Sequence, residues 1–202
     1  AGGGDRTVCA SQTILPIRYE IYNPAFAMTA SWDVTPTGLT YQNYAQNQIV
    51  EFNITQMGTP TITAPGDVFT FNVNGTNYTA ITNGASSTLN INALTTTLQT
   101  WLDGILADQT VTSNGTSITF EAINPGVAFT VTTAFSSTFD TGTGVIIRPP
   151  AYFEISGTAS NSTNGVLSHI YTLTTAGPGC SGGFAVSGTI DVNPVTSGVF
   201  TS

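Results

Sequence analysis

The chain contains no lysine, three arginines (Arg6, Arg18, Arg148) and a single histidine, His169, and charged residues fill only 7% of its 202 positions. Each shortage excludes something. Neutralising phosphates takes clustered Lys or Arg, so a chain with net charge −8 is not built to bind nucleic acid. The same balance argues against an anionic membrane surface, and no run approaches 18 apolar residues, so nothing reads as a membrane span. One histidine and two cysteines (Cys9, Cys180) do not make a zinc site. No D-x-D-x-D-G calcium loop occurs, which leaves Asp5 or Asp191, near the chain ends, as the remaining option for a calcium ion at a domain junction. A basic-then-apolar leader is missing too, so the chain reads as a mature protein or an excised piece of one.

Catalytic sets are equally scarce. His169 begins a strand on the same face as Tyr171 and Leu173, and no G-x-S-x-G nucleophile elbow accompanies it. Gly177, Gly179 and Gly182 match G-x-G-x-x-G in form, but a strand follows them, so no helix N-terminus waits for a phosphate. The eleven carboxylates are scattered. No catalytic residue, metal or cofactor is expected. The polar–aromatic stretch around Tyr41 and Tyr44 is the candidate for ligand contact, as part of a sugar-stacking platform that Trp32, Trp101 and Tyr152 could also supply.

What is present is 40% hydrophobic residues among abundant Thr, Ser, Asn and Gly, a composition for a hydroxyl-rich β surface over a real core. Residues 170–194 carry period-two alternation on either side of a Gly-Pro-Gly-Cys-Ser-Gly-Gly loop, and so predict a hairpin. A lone hairpin is marginal; this one needs strands from the N-terminal region, such as 14–22 and 28–34, with Trp32 as the expected core aromatic. From Gln48 the texture changes. Asn74-Gly75 and Asn114-Gly115 predict hairpin turns, and Leu94, Leu98, Trp101, Leu102, Ile105 and Leu106 fall at helical spacing behind Thr88 or Asn90 as cap. Val127–Val131 reads as a strand, 138–145 as a linker, and 146–160 as a return to the first texture. The prediction is a mainly β chain: an antiparallel β-sandwich from residues 1–47 and 144–202, and an inserted small α+β (β-β-α-β-β) module over 48–143 with one helix near 89–107. Insertion is cheap because loop-closure cost grows with the logarithm of length.

Two cysteines leave free thiols or a bridge open; their polar, loop-like surroundings favour a Cys9–Cys180 disulfide and an oxidising, extracellular setting. Five Asn-x-Ser/Thr sequons, Asn161 among them, are expected by chance in so Asn- and Thr-rich a chain.

DRTVCASQTILPIRYEI, VTPTGLT, EISGTAS, YTLTTAGPGC and SGTIDVNP together resemble the PKD/Ig-like repeat of giant Bacteroidota surface adhesins, including the gliding-motility adhesins exported by the type IX system. The resemblance implies an Ig/PKD-like sandwich and cysteines at the positions of Cys9 and Cys180. Thr35-Pro36-Thr37-Gly38 and Ser156-Gly157-Thr158-Ala159 depart from the family's usual Leu-Pro-x-Gly and Ser-Gly-Thr-Pro. VTSGVFTS followed by AGGGDRTVC would read as a linker between successive repeats. The implied function is a non-enzymatic structural repeat of a filamentous adhesin, with neighbouring repeats as partners and surface polysaccharide as a further one. Two alternatives are a glycan-binding module acting through the insert and a pilus-like subunit assembling by strand exchange.

Overall fold

The computed structural model describes residues 5–23, 27–57, 62–82, 89–176 and 185–194. The chain runs β1 (Arg6–Cys9), β2 (Ile17–Ile21), β3 (Ala27–Trp32), β4 (Leu39–Ala45) and β5 (Ile49–Gln56). Then follow β6 (Val68–Val73), β7 (Thr76–Ile81), α1 (Ile91–Ile105), β8 (Gln109–Ser113), β9 (Ser117–Ala122) and β10 (Val131–Ser136). It closes with β11 (Phe139–Thr141), β12 (Val145–Arg148), β13 (Ala151–Gly157), β14 (Leu167–Ala176) and β15 (Ala185–Asn193). Two compact units result, one from residues 1–45 and 151–202, the other from 46–150.

The first unit pairs a sheet of order β1-β15-β14-β3 with a sheet of order β2-β13-β4. Alternating side chains from both fill one core: Ile17 and Ile21 from β2, Phe153 and Ile155 from β13, Tyr171 and Leu173 from β14, Ile190 and Val192 from β15. Each such side chain, fully buried, is worth about 1.5–3 kcal/mol. The three-strand sheet β2-β13-β4 and the run β3-β14-β15 follow the immunoglobulin constant-type order, second, fifth and fourth strands facing third, sixth and seventh. The first strand joins the last in parallel, Arg6 opposite Ile190. The fold is mainly β, an Ig-like antiparallel sandwich with a second unit inserted between its fourth and fifth strands. Tyr171, wholly buried, is the central aromatic here; Trp32, expected in the core, is half-buried and packs edge-on against it at 5.9 Å.

In the second unit the sheet β11-β5-β9-β8, with β12 also on β5, shares a core with the sheet β10-β6-β7. The β6–β7 turn takes the left-handed conformation at both Asn74 (φ 51°) and Gly75 (φ 85°), as a two-residue hairpin of the right twist requires. Helix α1 is capped by Asn90, whose side-chain oxygen accepts from the Ala93 amide at 3.0 Å, and buries Leu94, Leu98 and Leu102, one stripe at four-residue spacing. Ile105, expected on that stripe, is 42% exposed.

Three expectations need correction. Residues 127–130 are irregular, and the strand begins at Val131. Phe129 is nevertheless buried, because the buried Gln48 amide donates to its carbonyl and accepts from its amide, both at 2.9 Å. The expected linker 138–145 contains β11, paired with β5. Val145–Arg148 pairs with β5 and belongs to the inserted unit; the sandwich resumes only at Ala151, after Pro149-Pro150. Among the described residues, no helix is long and apolar enough to cross a membrane.

Candidate functional site

Tyr41 and Tyr44 lie three residues apart on one strand, and the period of two sends them to opposite faces. Tyr41 points to the core side, where its ring stacks on buried Phe153 at 5.6 Å and 30°, and it is 45% exposed. There it borders a cleft of about 540 Å³ whose other walls include Ser31, Trp32, Thr35, Leu39 and Thr40. The cleft opens between β3 and β4, which end their respective sheets among the described strands. The structure thus brings together Trp32 and Tyr41, two members of the expected platform.

The walls are braced from behind. Trp32 abuts Tyr171, and the Tyr171 hydroxyl lies 3.0 Å from that of Tyr19. The turn carrying Thr35 is anchored by the Thr158 amide, which donates to the Gly38 carbonyl at 3.0 Å. Ser31 donates its hydroxyl to the Thr172 carbonyl at 3.3 Å, and Thr40 to that of Ser156 at 3.5 Å. None of the residues lining the cleft is charged.

Tyr44 stands on the outer face of β2-β13-β4 and stacks on Tyr152 at 5.1 Å and 17°. Arg18, from the strand on the other side of β13, lies over the same Tyr152 ring at 4.9 Å and donates to Glu154 at 2.5 Å. Glu154 holds that guanidinium above its ordinary pKa, first by the hydrogen bond and then by charge. Tyr152 is flanked from both sides, so this ladder is a cross-strand packing device rather than an open stacking platform. Trp101 packs against the core of the inserted unit. Trp32, Tyr41, Tyr44 and Tyr152 thus lie in the sandwich, and Trp101 in the inserted unit.

Other candidate residues have structural duties. His169 is 2% exposed, with Nδ1 3.0 Å from the Val34 carbonyl oxygen. Asp5 accepts from the Thr189 amide at 3.0 Å and Asp191 from the Ser168 hydroxyl at 2.5 Å, each within its own sheet. Among the described residues no cluster of three metal-ligating side chains occurs. Asn161, nominally a sequon, is buried: its amide nitrogen donates to Gly165 and Val192 carbonyls, and its oxygen accepts from Thr163.

Cys9 is exposed at the end of β1, and Cys180 lies outside the described residues. The expected Cys9–Cys180 bridge therefore lies outside the described residues.

No family model matches the chain, and no curated protein matches it either. Among solved structures the chain is similar to the collagen-binding domain from a Staphylococcus aureus adhesin, at 12% identity over 82% of this chain and 96% of that one, with a TM-score of 0.20. At that score the likeness carries no argument, and the Ig-like assignment stands on strand order and core instead.

Proposed function

We propose that this chain is a non-enzymatic structural unit of a secreted, filamentous cell-surface adhesin, serving as spacer and adhesive module, as its motif resemblance implies. The observation that carries the reading is the parallel pairing of β1 with β15, Arg6 opposite Ile190 through Cys9 opposite Asn193. The first and last strands travel the same way, so the chain enters and leaves the sandwich in one direction, which suits a unit passed through in line. Antiparallel terminal strands would turn the chain back on itself.

The inserted unit leaves the strand pairing of the sandwich uninterrupted. It departs after Ala45 and returns at Ala151, and these two residues are partners across β4 and β13. An excursion that begins and ends on paired residues leaves the sandwich register intact, at little closure cost. The lone histidine spent on core packing and two of the three arginines spent on ion pairs with Glu154 and Glu121 are what a structural role needs.

Small-angle scattering on fusions of one, two and three copies tests the reading. The expected result is a maximum dimension that grows by a constant increment per copy. A collapsed particle that stays compact as copies are added would overturn it, and filaments forming from the single copy would support strand exchange instead.

A further inference from the structure

We infer that the cleft between β3 and β4 is a saccharide site selective for uncharged sugars; this rests on the adhesive reading above and names what the module would hold. A cleft of about 540 Å³ is in the range of ligand pockets, roughly 300–1,000 Å³. A hexose offers an apolar C–H face and a rim of hydroxyls, and the cleft offers a complement: the rings of Trp32 and Tyr41 beside the uncharged, polar Thr35. The hydroxyls of Ser31 and Thr40 are turned to carbonyls of β14 and β13, so those two residues brace the walls while the rings present the surface to a ligand.

Charge decides the class of sugar. The lining supplies neither a guanidinium to pair with a uronate or sulfate nor a carboxylate to pair with an amino sugar. A net charge of −8 over the whole chain opposes anionic glycans further. The rings are also held in place before any ligand arrives, Tyr41 by buried Phe153 and Trp32 by buried Tyr171. Binding would then cost little side-chain entropy.

Trp32 is its own reporter. The chain has two tryptophans, so Trp101→Phe leaves Trp32 as the sole source of indole emission. That protein is titrated with maltohexaose, cellohexaose and mannohexaose, and with oligogalacturonate as the charged counterpart. The expected result is a saturable change in emission with at least one neutral hexasaccharide and none with oligogalacturonate. Tyr41→Ala, which removes a wall, and Thr35→Phe, which puts a ring into the cleft without touching the Phe153 stack, should each weaken binding at least tenfold with the thermal midpoint of Thr35→Phe preserved. No response to any neutral sugar, a response to oligogalacturonate alone, or binding that survives both substitutions would overturn the inference. The spacer reading is judged separately, by scattering from fused copies.

Discussion

Gly38 and Gly157 lie back to back in the sandwich, on opposite sides of the inserted unit in sequence: a Cβ on Gly38 would collide with the Thr158 carbonyl, and one on Gly157 with the carbonyl of Gly38. Both also hold φ angles that side chains resist, +84° and +130°. The two motifs that departed from the family pattern, Thr35 to Gly38 and Ser156 to Ala159, thus form one contact, sealed by the Thr158 amide on the Gly38 carbonyl. Gly157→Ala should cost the sandwich about 2–4 kcal/mol through combined strain and backbone collision. Urea unfolding followed by Trp32 emission in the Trp101→Phe background checks this. A loss below the error of the measurement would mean the two backbones separate freely.

Gln48 replaces a strand pairing that residues 127–130 do not make. Its side-chain amide satisfies both main-chain groups of buried Phe129. Gln48→Leu keeps the volume and leaves those two groups unpaired, so the inserted unit should lose about 2–4 kcal/mol. Hydrogen exchange should show the Phe129 amide losing protection ahead of the β5–β9 ladder.

Burial first, then the bond to the Tyr19 hydroxyl, hold the Tyr171 phenol well above its ordinary pKa. In the unfolded chain that phenol releases its proton near pH 10, while the folded chain keeps it. Above pH 10 the unfolded state therefore binds fewer protons, and stability falls as pH rises. The contribution is complete below about pH 9 and is lost progressively above pH 10. Urea midpoints measured between pH 8 and pH 11 should decline, and Tyr171→Phe should flatten the decline. An identical slope in that variant would place the alkaline lability elsewhere.

Cys9, exposed at the end of β1, should behave as an accessible thiol. Maleimide should label it in the native protein without prior reduction, and dithiothreitol should leave the melting temperature unchanged. A Cys9 blocked to maleimide until reduced, with a melting temperature that drops on reduction, would instead establish the bridge expected from the sequence.

The hairpin turn at Asn74-Gly75, the helix behind Asn90 and the closing pair β14–β15 were all legible in the residues, because each is set by local chemistry: left-handed turn geometry, a side-chain cap, and alternation long enough to count. So was the change of texture near Gln48. Strands β11 and β12, of three and four residues, were not, since so short a run shows no period and is strand only because β5 offers it a partner. The Gln48 clamp on Phe129 escaped for the same reason: a polar residue beside a strand does not announce which distant amide it will satisfy.

By itself the amino-acid order determined that the chain is mainly β and that a helix interrupts it. Those outcomes follow from periodicity and composition, which act within a few residues. Tertiary structure alone decided that Tyr41 meets Trp32 in a cleft while Tyr44 joins Tyr152 on the far side, and that two remote glycines touch. Each of those depends on register between strands far apart in sequence, and register is chosen by the whole core as it packs, not by any one segment of the chain.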